Sequence, residues 1–388
     1  MNIKTVPVFL AFLAMGFGDA VGPFVGLAKN EFALSNAEAY LIAFMGFIMF
    51  GLLSVPMGVF QARKGKKFIL LMGLVVMLIG ILIPFFGMSS YPVLLVTVLL
   101  LGAGATTLQV AGNPIMRDVS GEGRYSRNLS LAQFVKAIGS LTGPVIPAVA
   151  ASYFGSDWKI LFPIYAVALV ITILSVATLK VEEHRSVGTG PVTLASCLAL
   201  LKNGYVAMMV AAIFLYVGAE VCMSSGIPIY LASAFGIQIE KLGLLGTGLF
   251  FTALMLGRFL GGVVLNWISP RRFFLATVAL SVLALLGMFT GIAAVVVVSV
   301  ILAGLGFANV FPLVFSITVD AMPAKANELS GLMVTAIVGG AILPPVMGLL
   351  ADRMSPEAGF IVPLAALLYV GWTSLRNLNT AQNAPAIG

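Results

Sequence analysis

The sequence predicts an all-α integral membrane protein of twelve transmembrane helices, arranged as two pseudo-symmetric six-helix bundles. Of its 388 residues, 60% are hydrophobic and 9% are charged, whereas soluble domains carry about 25% charged residues. A helix needs roughly 20 apolar residues to cross the hydrocarbon core, so a chain of this length has room for about twelve spans with their connections. The two halves of the chain also resemble each other in sequence.

Twelve apolar segments follow one another along the chain, separated by polar connections. Each is long enough to cross a bilayer as a helix, or nearly so. They are predicted near residues 6–28, 38–61, 68–88, 92–116, 126–151, 158–179, 204–232, 241–268, 273–291, 293–319, 327–351 and 359–375. Residues 1–7 lead into the first segment without a small-residue cleavage site, so we expect an uncleaved signal anchor.

The distribution of basic residues predicts the orientation. With the N-terminus in the cytoplasm, fifteen of the 21 Lys and Arg residues lie on the cytoplasmic side and four lie outside. Cytoplasmic loops are rich in Lys and Arg, so we expect a multi-pass protein of the bacterial inner membrane with both termini in the cytoplasm. The net charge of +7 is spread over these loops, which argues against nucleic acid as a partner. Membrane lipid is the expected surrounding, and we expect a monomer.

The longest polar stretch, residues 180–203, predicts a boundary between two domains. It contains charged residues, glycine and proline between the sixth and seventh segments. We therefore predict an N-terminal six-helix bundle over residues 1–180, a cytoplasmic linker over 181–203 and a C-terminal six-helix bundle over 204–388.

Equivalent residues recur in the two halves at a spacing of about 200. Gly102 corresponds to Gly304, and the acidic residue Asp19 corresponds to Glu220. Two parallel-related sets of six spans are a transporter plan, with the binding site at the interface between the halves.

Three ionisable residues, Asp19, Lys136 and Glu220, lie within these apolar segments. A charge in the membrane costs several kcal/mol unless it is paired or hydrated. At 1.5 Å per residue, Asp19 lies about 20 Å and Lys136 about 15 Å from the cytoplasmic ends of their helices. All three can therefore converge near the midplane, which indicates a polar pathway and hence transport.

A purely structural interpretation of these charges is an ion pair between Lys136 and one acid that holds helices together. Two acids then face one base, so one carboxylate remains uncompensated and can bind and release a proton or attract sodium. We therefore predict Asp19 and Glu220 as ion-coupling residues, with Lys136 as their switchable partner and a possible sodium site near Asp19. No cofactor is expected, and the coupling ion is a proton or sodium.

Four amide side chains lie inside the spans and suggest a ligand site. An amide both donates and accepts hydrogen bonds, which suits a polyhydroxylated ligand. The alternative is interhelical contact, which contributes about 0.6 kcal/mol on average in membranes. The predicted substrate-binding residues are Gln109, Asn113, Gln133, Lys136, Tyr216, Glu220 and Asn309. The ring of Tyr216 either stacks on a sugar or packs against other side chains.

Short basic turns follow the second and eighth spans. Arg63 lies in the first turn, which we interpret as a topology anchor and a lock between neighbouring helices. Arg258 lies just before the second turn, and we expect it to pair with an acid or a helix C-terminus. Both are predicted gating residues. The first turn lacks the spacing of a phosphate-binding loop. A single histidine, His184, and the unrelated cysteines Cys197 and Cys222 offer no metal cluster or catalytic dyad, so no enzyme is expected.

Together these features resemble the major facilitator superfamily across the whole chain, and within it the fucose–galactose–glucose:cation symporter family. The basic turns resemble the superfamily's loop motif, with Ala62 where an aspartate is usual. The finer resemblance is carried by residues 102–114 (GAGATTLQVAGNP), 128–133 (NLSLAQ), 216–221 (YVGAEV), 306–312 (GFANVFP) and 336–341 (AIVGGA).

This resemblance implies the major facilitator fold and sugar uptake coupled to protons or sodium. It implicates Asp19 in coupling, and Asn113 and Gln133 match the family pattern directly. Two positions depart from it. Gln109 stands where the fucose-transporting branch has a glutamate implicated in proton coupling, and Lys136 stands where that branch has a sugar-binding asparagine.

We therefore predict a secondary active sugar transporter that takes up a hexose or small glycoside by alternating access. A cation at the sugar site leaves open an anionic substrate such as a sialic or uronic acid. Drug efflux by the same fold would favour an aromatic, apolar cavity over four amides and a lysine. A receptor would need a larger extramembrane domain than these loops provide.

Overall fold

The computed structural model describes residues 5–19, 32–34, 36–86, 90–154, 158–180, 193–236 and 247–382. Every regular element in these ranges is a helix. Contacts divide the chain into two compact units, unit 1 with residues 1–200 and 322–335, and unit 2 with residues 201–321 and 336–388. Residues 322–335 are thus grouped with unit 1, although they follow the predicted linker. Much of that linker lies outside the described residues, so the predicted domain boundaries stay a prediction.

The described residues contain fifteen α-helices, and seven of these precede residue 200. They are α1 (Thr5–Asp19), α2 (Asn36–Lys64), α3 (Lys66–Leu82), α4 (Tyr91–Val119), α5 (Tyr125–Phe154), α6 (Leu161–Thr178) and the short α7 (Leu194–Ala199). Single 3-10 turns, Ile83–Phe86 and Trp158–Ile160, extend α3 and precede α6. Helix α7 is stabilised at its start by a capping box between Thr193 and Ser196.

Eight α-helices follow. They are α8 (Gly204–Phe235), α9 (Thr247–Val264), α10 (Pro270–Gly287), α11 (Ala293–Phe307), α12 (Val310–Ala321), α13 (Ala326–Thr335), α14 (Gly339–Arg353) and α15 (Ile361–Gln382). The 3-10 turns Pro323–Lys325, Ala336–Val338 and Ala358–Phe360 precede α13, α14 and α15.

Each of the twelve predicted segments contains helix, as the fold prediction requires. Within the described residues, nine helical stretches are long and apolar enough to cross a membrane, and α1 and α9 are shorter apolar helices. The fifth predicted segment forms α5, which is 30 residues long and contains Arg127, Lys136 and several uncharged polar residues. Ionisable residues within a membrane-spanning helix usually face the interior of the bundle rather than lipid.

Unit 1 is built around α4. This helix packs against α1, α2, α3 and α13, and α1 also packs against α5 and α6. Residues 104–116 of α4 are buried without interruption, as expected for a helix with neighbours on all sides. Its polar residues Gln109 and Asn113 are therefore held inside the unit.

Unit 2 has its own core. Helix α8 packs against α9, α12, α14 and α15, while α11 packs against α9 and α10. Residues 310–319 of α12 are all buried. Helices α11 and α12 are separated by a break at residues 308–309, which places Asn309 at a backbone discontinuity.

Equivalent glycines make equivalent contacts inside each unit, and these contacts support the predicted internal repeat. The first glycine of each unit, Gly102 or Gly304, approaches the second helix of its repeat. The second glycine, Gly104 or Gly306, approaches the third helix. An added Cβ would lie 2.4–3.0 Å from a backbone oxygen in every case, which favours glycine at these crossings. The contacts are Gly102 with Gly46, Gly104 with Gly73, Gly304 with Phe250 and Gly306 with Thr277.

The basic turn between α2 and α3 depends on one glycine and one ion pair. Gly65 adopts φ +93°, which glycine tolerates without a steric penalty. Lys66 then forms a buried ion pair with Asp118 near the end of α4. Arg63 is exposed at the end of α2, and its predicted gating role stays a prediction.

Candidate functional site

A close crossing of α1 and α5 positions the buried lysine. An added Cβ at Gly16 would meet the carbonyl oxygen of Lys136, and one at Gly139 would meet that of Leu13. The two backbones are therefore in direct contact. Asp19 ends α1 three residues after Gly16, so this helix end lies about one turn from the crossing. The Asp19 side chain, and with it the predicted sodium site, lies outside the described part of the structure.

Lys136 joins α5 to α4 through an amide. Its Nζ donates to Oε1 of Gln109 at 3.2 Å. Lys136 is half-buried, whereas Gln109 is 3% exposed. A hydrogen bond from a charged donor is stronger than a neutral one, so this contact holds both side chains between the two helices.

Two more predicted amides share these facing sides of α4 and α5. Asn113 lies four residues after Gln109, and Gln133 lies three residues before Lys136, the spacings at which helical side chains are neighbours. Both amides are buried, Asn113 completely. Asn113 and Gln133 thus lie one helical turn from the hydrogen-bonded pair Gln109 and Lys136, and these four residues are called the polar cluster of α4 and α5.

The Asn113 amide is the clearest sign of a ligand site in this cluster. Neither its nitrogen nor its oxygen has a hydrogen-bond partner among the described residues. Its backbone carbonyl, in contrast, accepts a hydrogen bond from the Tyr125 hydroxyl at 3.0 Å. A buried polar group without a partner costs about 1–3 kcal/mol, and buried groups in this state call for an explanation in function.

Ser130 shows the same feature and was missed by the sequence analysis. Its hydroxyl is fully buried on α5, one turn before Gln133, and has no hydrogen-bond partner among the described residues. The available signal was its position inside the 128–133 stretch that carries the family resemblance.

In unit 2, Glu220 pairs with Arg258. Nη2 of Arg258 lies 3.5 Å from Oε1 of Glu220, and the two side chains are 11% and 18% exposed, respectively. The guanidinium also donates from Nε to the Ala308 carbonyl at 3.4 Å. The argument that two acids face a single base was therefore wrong. The expectation that Arg258 pairs with an acid or a helix C-terminus is confirmed, because Ala308 is the C-cap of α11. The gating role of Arg258 stays a prediction. Glu220 has a cationic partner within its own unit.

Asn309 occupies the break between α11 and α12. Its Nδ2 donates to the Gly257 carbonyl at 2.7 Å, and its amide lies where a side chain at Gly261 would be. The Asn309 residue is 1% exposed, and its Oδ1 has no hydrogen-bond partner among the described residues. This carbonyl oxygen is thus available as an acceptor.

Tyr216 lies in the core of unit 2. Its ring is fully buried against Phe307, and its hydroxyl donates to the Phe307 carbonyl at 2.8 Å. In this structure the residue therefore packs, and its predicted contact with a sugar stays a prediction.

Each unit thus supplies both hydrogen-bond donors and hydrogen-bond acceptors inside an apolar helix bundle. Unit 1 offers an ammonium donor and amides, and unit 2 offers an acid–base pair and an amide oxygen. Hydroxyl groups both donate and accept, so they match the polar groups of either unit better than an apolar molecule does. Within the described residues, no group of three or more His, Cys, Asp or Glu side chains could hold a metal ion.

The sequence was compared with family models and with curated proteins. A model of the Major Facilitator Superfamily matches residues 8–337, and a second match covers residues 209–385. The glucose/galactose transporter of Brucella abortus biovar 1 (strain 9-941) is 28% identical over 370 residues, covering 89% of this chain and 87% of that protein. The L-fucose-proton symporter of Escherichia coli (strain K12) is 23% identical over 378 residues, covering 88% and 86%.

Among solved structures, the fold is similar to that of FucP, a Major Facilitator Superfamily transporter crystallised in the outward conformation. The TM-score is 0.82 with 19% sequence identity, and the likeness covers 96% of this chain and 99% of FucP. At this sequence identity, the structural similarity shows that the two proteins share a fold.

Proposed function

The chain belongs to the Major Facilitator Superfamily, and we propose that it is a proton-coupled importer of a neutral hexose working by alternating access. The twelve-helix prediction is confirmed by the family match and by the fold. The similar proteins from Brucella and Escherichia coli are a glucose/galactose transporter and an L-fucose-proton symporter, which supports a sugar as the substrate.

The observation that carries this proposal is the polar cluster of α4 and α5. A fully buried amide, Asn113, has both polar atoms without hydrogen bonds among the described residues. It lies one turn from Gln109, which Lys136 already holds. Both polar atoms of Asn113 are enclosed in this structure. Where the alternating-access cycle opens the cluster, a sugar hydroxyl can accept from the Asn113 nitrogen while a second hydroxyl donates to its oxygen, which removes the cost of the unpaired amide.

The groups around Lys136 favour a neutral sugar over an anionic one. Lys136 donates to the neutral oxygen of Gln109 at 3.2 Å, and α1 ends nearby with an acid, Asp19. We infer that the Asp19 carboxylate balances the charge of the ammonium while the Gln109 oxygen accepts a hydrogen bond from it, so that the ammonium acts as a hydroxyl donor. An anionic substrate is the alternative outcome of the transport assay below.

Proton coupling cannot use position 109, because this chain has a glutamine there and glutamine does not titrate. We propose that other acids couple transport to protons. Glu220 is a carboxylate of limited exposure held by Arg258. Protonation of Glu220 would remove the attraction to Arg258 and release its guanidinium. Asp19 remains the second candidate in unit 1. The proton is preferred to sodium because the similar symporters are described as proton-coupled.

The test is uptake into proteoliposomes with the pH gradient and the sodium gradient imposed separately. D-glucose, D-galactose, L-fucose and an acidic sugar such as D-glucuronate serve as substrates. We expect uphill uptake of a neutral hexose driven by the pH gradient alone. Uptake of the acidic sugar only, or uptake that requires sodium, would overturn the corresponding part of the proposal.

Coupling is tested with Glu220→Gln and Asp19→Asn. Loss of uphill uptake with retained sugar counterflow is expected for a coupling acid, because exchange of sugar needs no net proton movement. Glu122→Gln, in an exposed turn between α4 and α5, is the matched control and should behave as wild type. Uphill transport retained by both Glu220→Gln and Asp19→Asn would exclude both acids.

The proposed location is the bacterial inner membrane, with both termini in the cytoplasm. It is supported by the sorting of basic residues between loops. We propose that the monomer is the working unit.

A further inference from the structure

Helix α4 contains a backbone carbonyl that its own helix cannot satisfy. In an α-helix, the N–H of each residue donates to the carbonyl four residues earlier. Pro114 lies inside α4 and has no N–H, so the Val110 carbonyl loses its intrahelical partner. Such an unpaired carbonyl inside a membrane protein needs another donor.

Ser330 of α13 supplies that donor. Its hydroxyl donates to the Val110 carbonyl at 2.6 Å, and Ser330 is fully buried. Both residues belong to unit 1. The bond joins two chain positions that are 220 residues apart.

Neighbouring residues on the same face of α13 hold this serine in place. Asn327 accepts a hydrogen bond from the side-chain nitrogen of Gln61 at 2.9 Å. Gly331 lies against the backbone of α2, since a Cβ there would be 2.8 Å from the Ser54 carbonyl oxygen. Helix α13 is therefore fixed against α2 while its hydroxyl reaches α4.

The Val110 carbonyl, which accepts from Ser330, lies between the two amides of α4 that belong to the proposed sugar site. Val110 directly follows Gln109 and precedes Asn113 by three residues. The helix lacks one of its own hydrogen bonds at this point, so the angle between the turns that carry the two amides is less restrained. The serine hydroxyl provides the missing restraint from outside the helix.

We propose that Ser330 is a positioning residue for sugar binding: by holding the Val110 carbonyl, it sets the α4 bend that aims Gln109 and Asn113 at the ligand. The assignment rests on the proposed function for its effect on sugar affinity. The restraint on α4 itself is independent of any ligand.

The first test compares Ser330→Ala with Ser330→Thr in purified protein, using equilibrium binding of D-glucose and D-galactose. Loss of one hydrogen bond that positions a site should weaken binding about three- to tenfold, and the threonine hydroxyl should restore most of the affinity. Ser281→Ala is the matched control, because Ser281 is equally buried but bonds the Thr277 carbonyl of its own helix. Wild-type affinity in Ser330→Ala would overturn the proposal.

The second test uses Pro114→Ala, which returns an N–H to the helix and so gives the Val110 carbonyl a partner again. In this background, Ser330→Ala should change sugar affinity less than about twofold. An equal loss in both backgrounds would show that Ser330 acts by some other route than the proline-freed carbonyl.

A measurement without sugar separates this proposal from the proposed function. Hydrogen–deuterium exchange of peptides covering residues 105–118 should be faster in Ser330→Ala than in wild type and in Ser281→Ala. In the Pro114→Ala background the serine change should have no further effect. If wild type binds none of D-glucose, D-galactose and L-fucose, the neutral-hexose proposal fails, and unchanged exchange in Ser330→Ala would overturn the restraint proposed here.

Discussion

At the scale of single residues, the ion pair between Glu220 and Arg258 alters the expected role of the second-half acid. Both side chains are mostly shielded from solvent. In such surroundings, removing one partner leaves a charge that has lost both water and counter-ion. Each partner of this pair therefore depends on the other for its compensating charge.

The first prediction concerns this pair. Arg258→Gln alone should destabilise the purified protein by about 1–3 kcal/mol, because it leaves the Glu220 carboxylate without its cation. The double variant Glu220→Gln/Arg258→Gln should recover most of this loss. Thermal unfolding in detergent measures both, and a double variant less stable than either single one would contradict the pairing.

The second prediction concerns the acceptor of Lys136. Gln109→Ala removes that acceptor and should raise the KM for sugar about tenfold, since hydrogen bonds to charged groups are stronger than neutral ones. Gln109→Glu should retain more affinity, because a carboxylate also accepts from the ammonium. Initial uptake rates in proteoliposomes decide between them, and equal KM values for both variants would exclude the contact.

The third prediction concerns Cys197 in α7, outside the membrane spans. Burial raises the pKa of its thiol to about 11, with a further increase from the nearby Glu328 carboxylate and an opposing effect of Lys325. Since the thiolate is the reactive form, a maleimide should not modify Cys197 in the native protein at pH 7.5. Mass spectrometry of native and denatured samples, with Cys222→Ser as background, checks this, and rapid native labelling would show that α7 opens.

At the scale of helices, contacts between glycines determine which elements pack together. Gly58 of α2 and Gly331 of α13 face each other, and a Cβ at Gly58 would be 3.0 Å from the Asn327 carbonyl oxygen and 3.1 Å from the Gly331 Cα. Small residues allow helices in membranes to approach closely. The hydrogen bonds of Asn327 and Ser330 depend on this approach.

The fourth prediction tests that crossing. Gly331→Ala should destabilise the protein by about 1–3 kcal/mol, because the new methyl group must displace a backbone oxygen. Gly348→Ala, where nothing lies within 4 Å of the new Cβ, should instead be neutral or stabilising by about 0.5–1 kcal/mol through helix propensity. Unfolding temperatures of the two variants are compared, and the reverse order would contradict the packing.

At the scale of the whole molecule, the alternation of spans predicts which connections face each side. Thr290 lies in an exposed turn after α10, and Glu122 lies in an exposed turn after α4. With the N-terminus in the cytoplasm, the first turn is external and the second is cytoplasmic.

The fifth prediction tests this orientation in intact cells. A membrane-impermeant maleimide should label Thr290→Cys, whereas Glu122→Cys should react only after permeabilisation. The two native cysteines are buried and should give a low background. Labelling of Glu122→Cys from outside would reverse the assigned orientation.

The sequence by itself determined the class of fold and the spans. In lipid, backbone groups must be satisfied within each segment, so a run of apolar residues is nearly sufficient to specify a helix. The repeat of glycines such as Gly102 and Gly304 also reported equivalent helix crossings directly, because only glycine permits them. Likewise, Gln109 and Lys136 were predicted to share a site, and they are in hydrogen-bond contact.

Only the tertiary structure decided which partners these residues have. It paired Glu220 with Arg258, Lys66 with Asp118 and Ser330 with the Val110 carbonyl, and it grouped residues 322–335 with unit 1. Such contacts depend on the rotation and crossing of helices that are far apart in the chain. Hydropathy and spacing carry no information about that rotation, because lipid solvates every apolar face of a helix equally well.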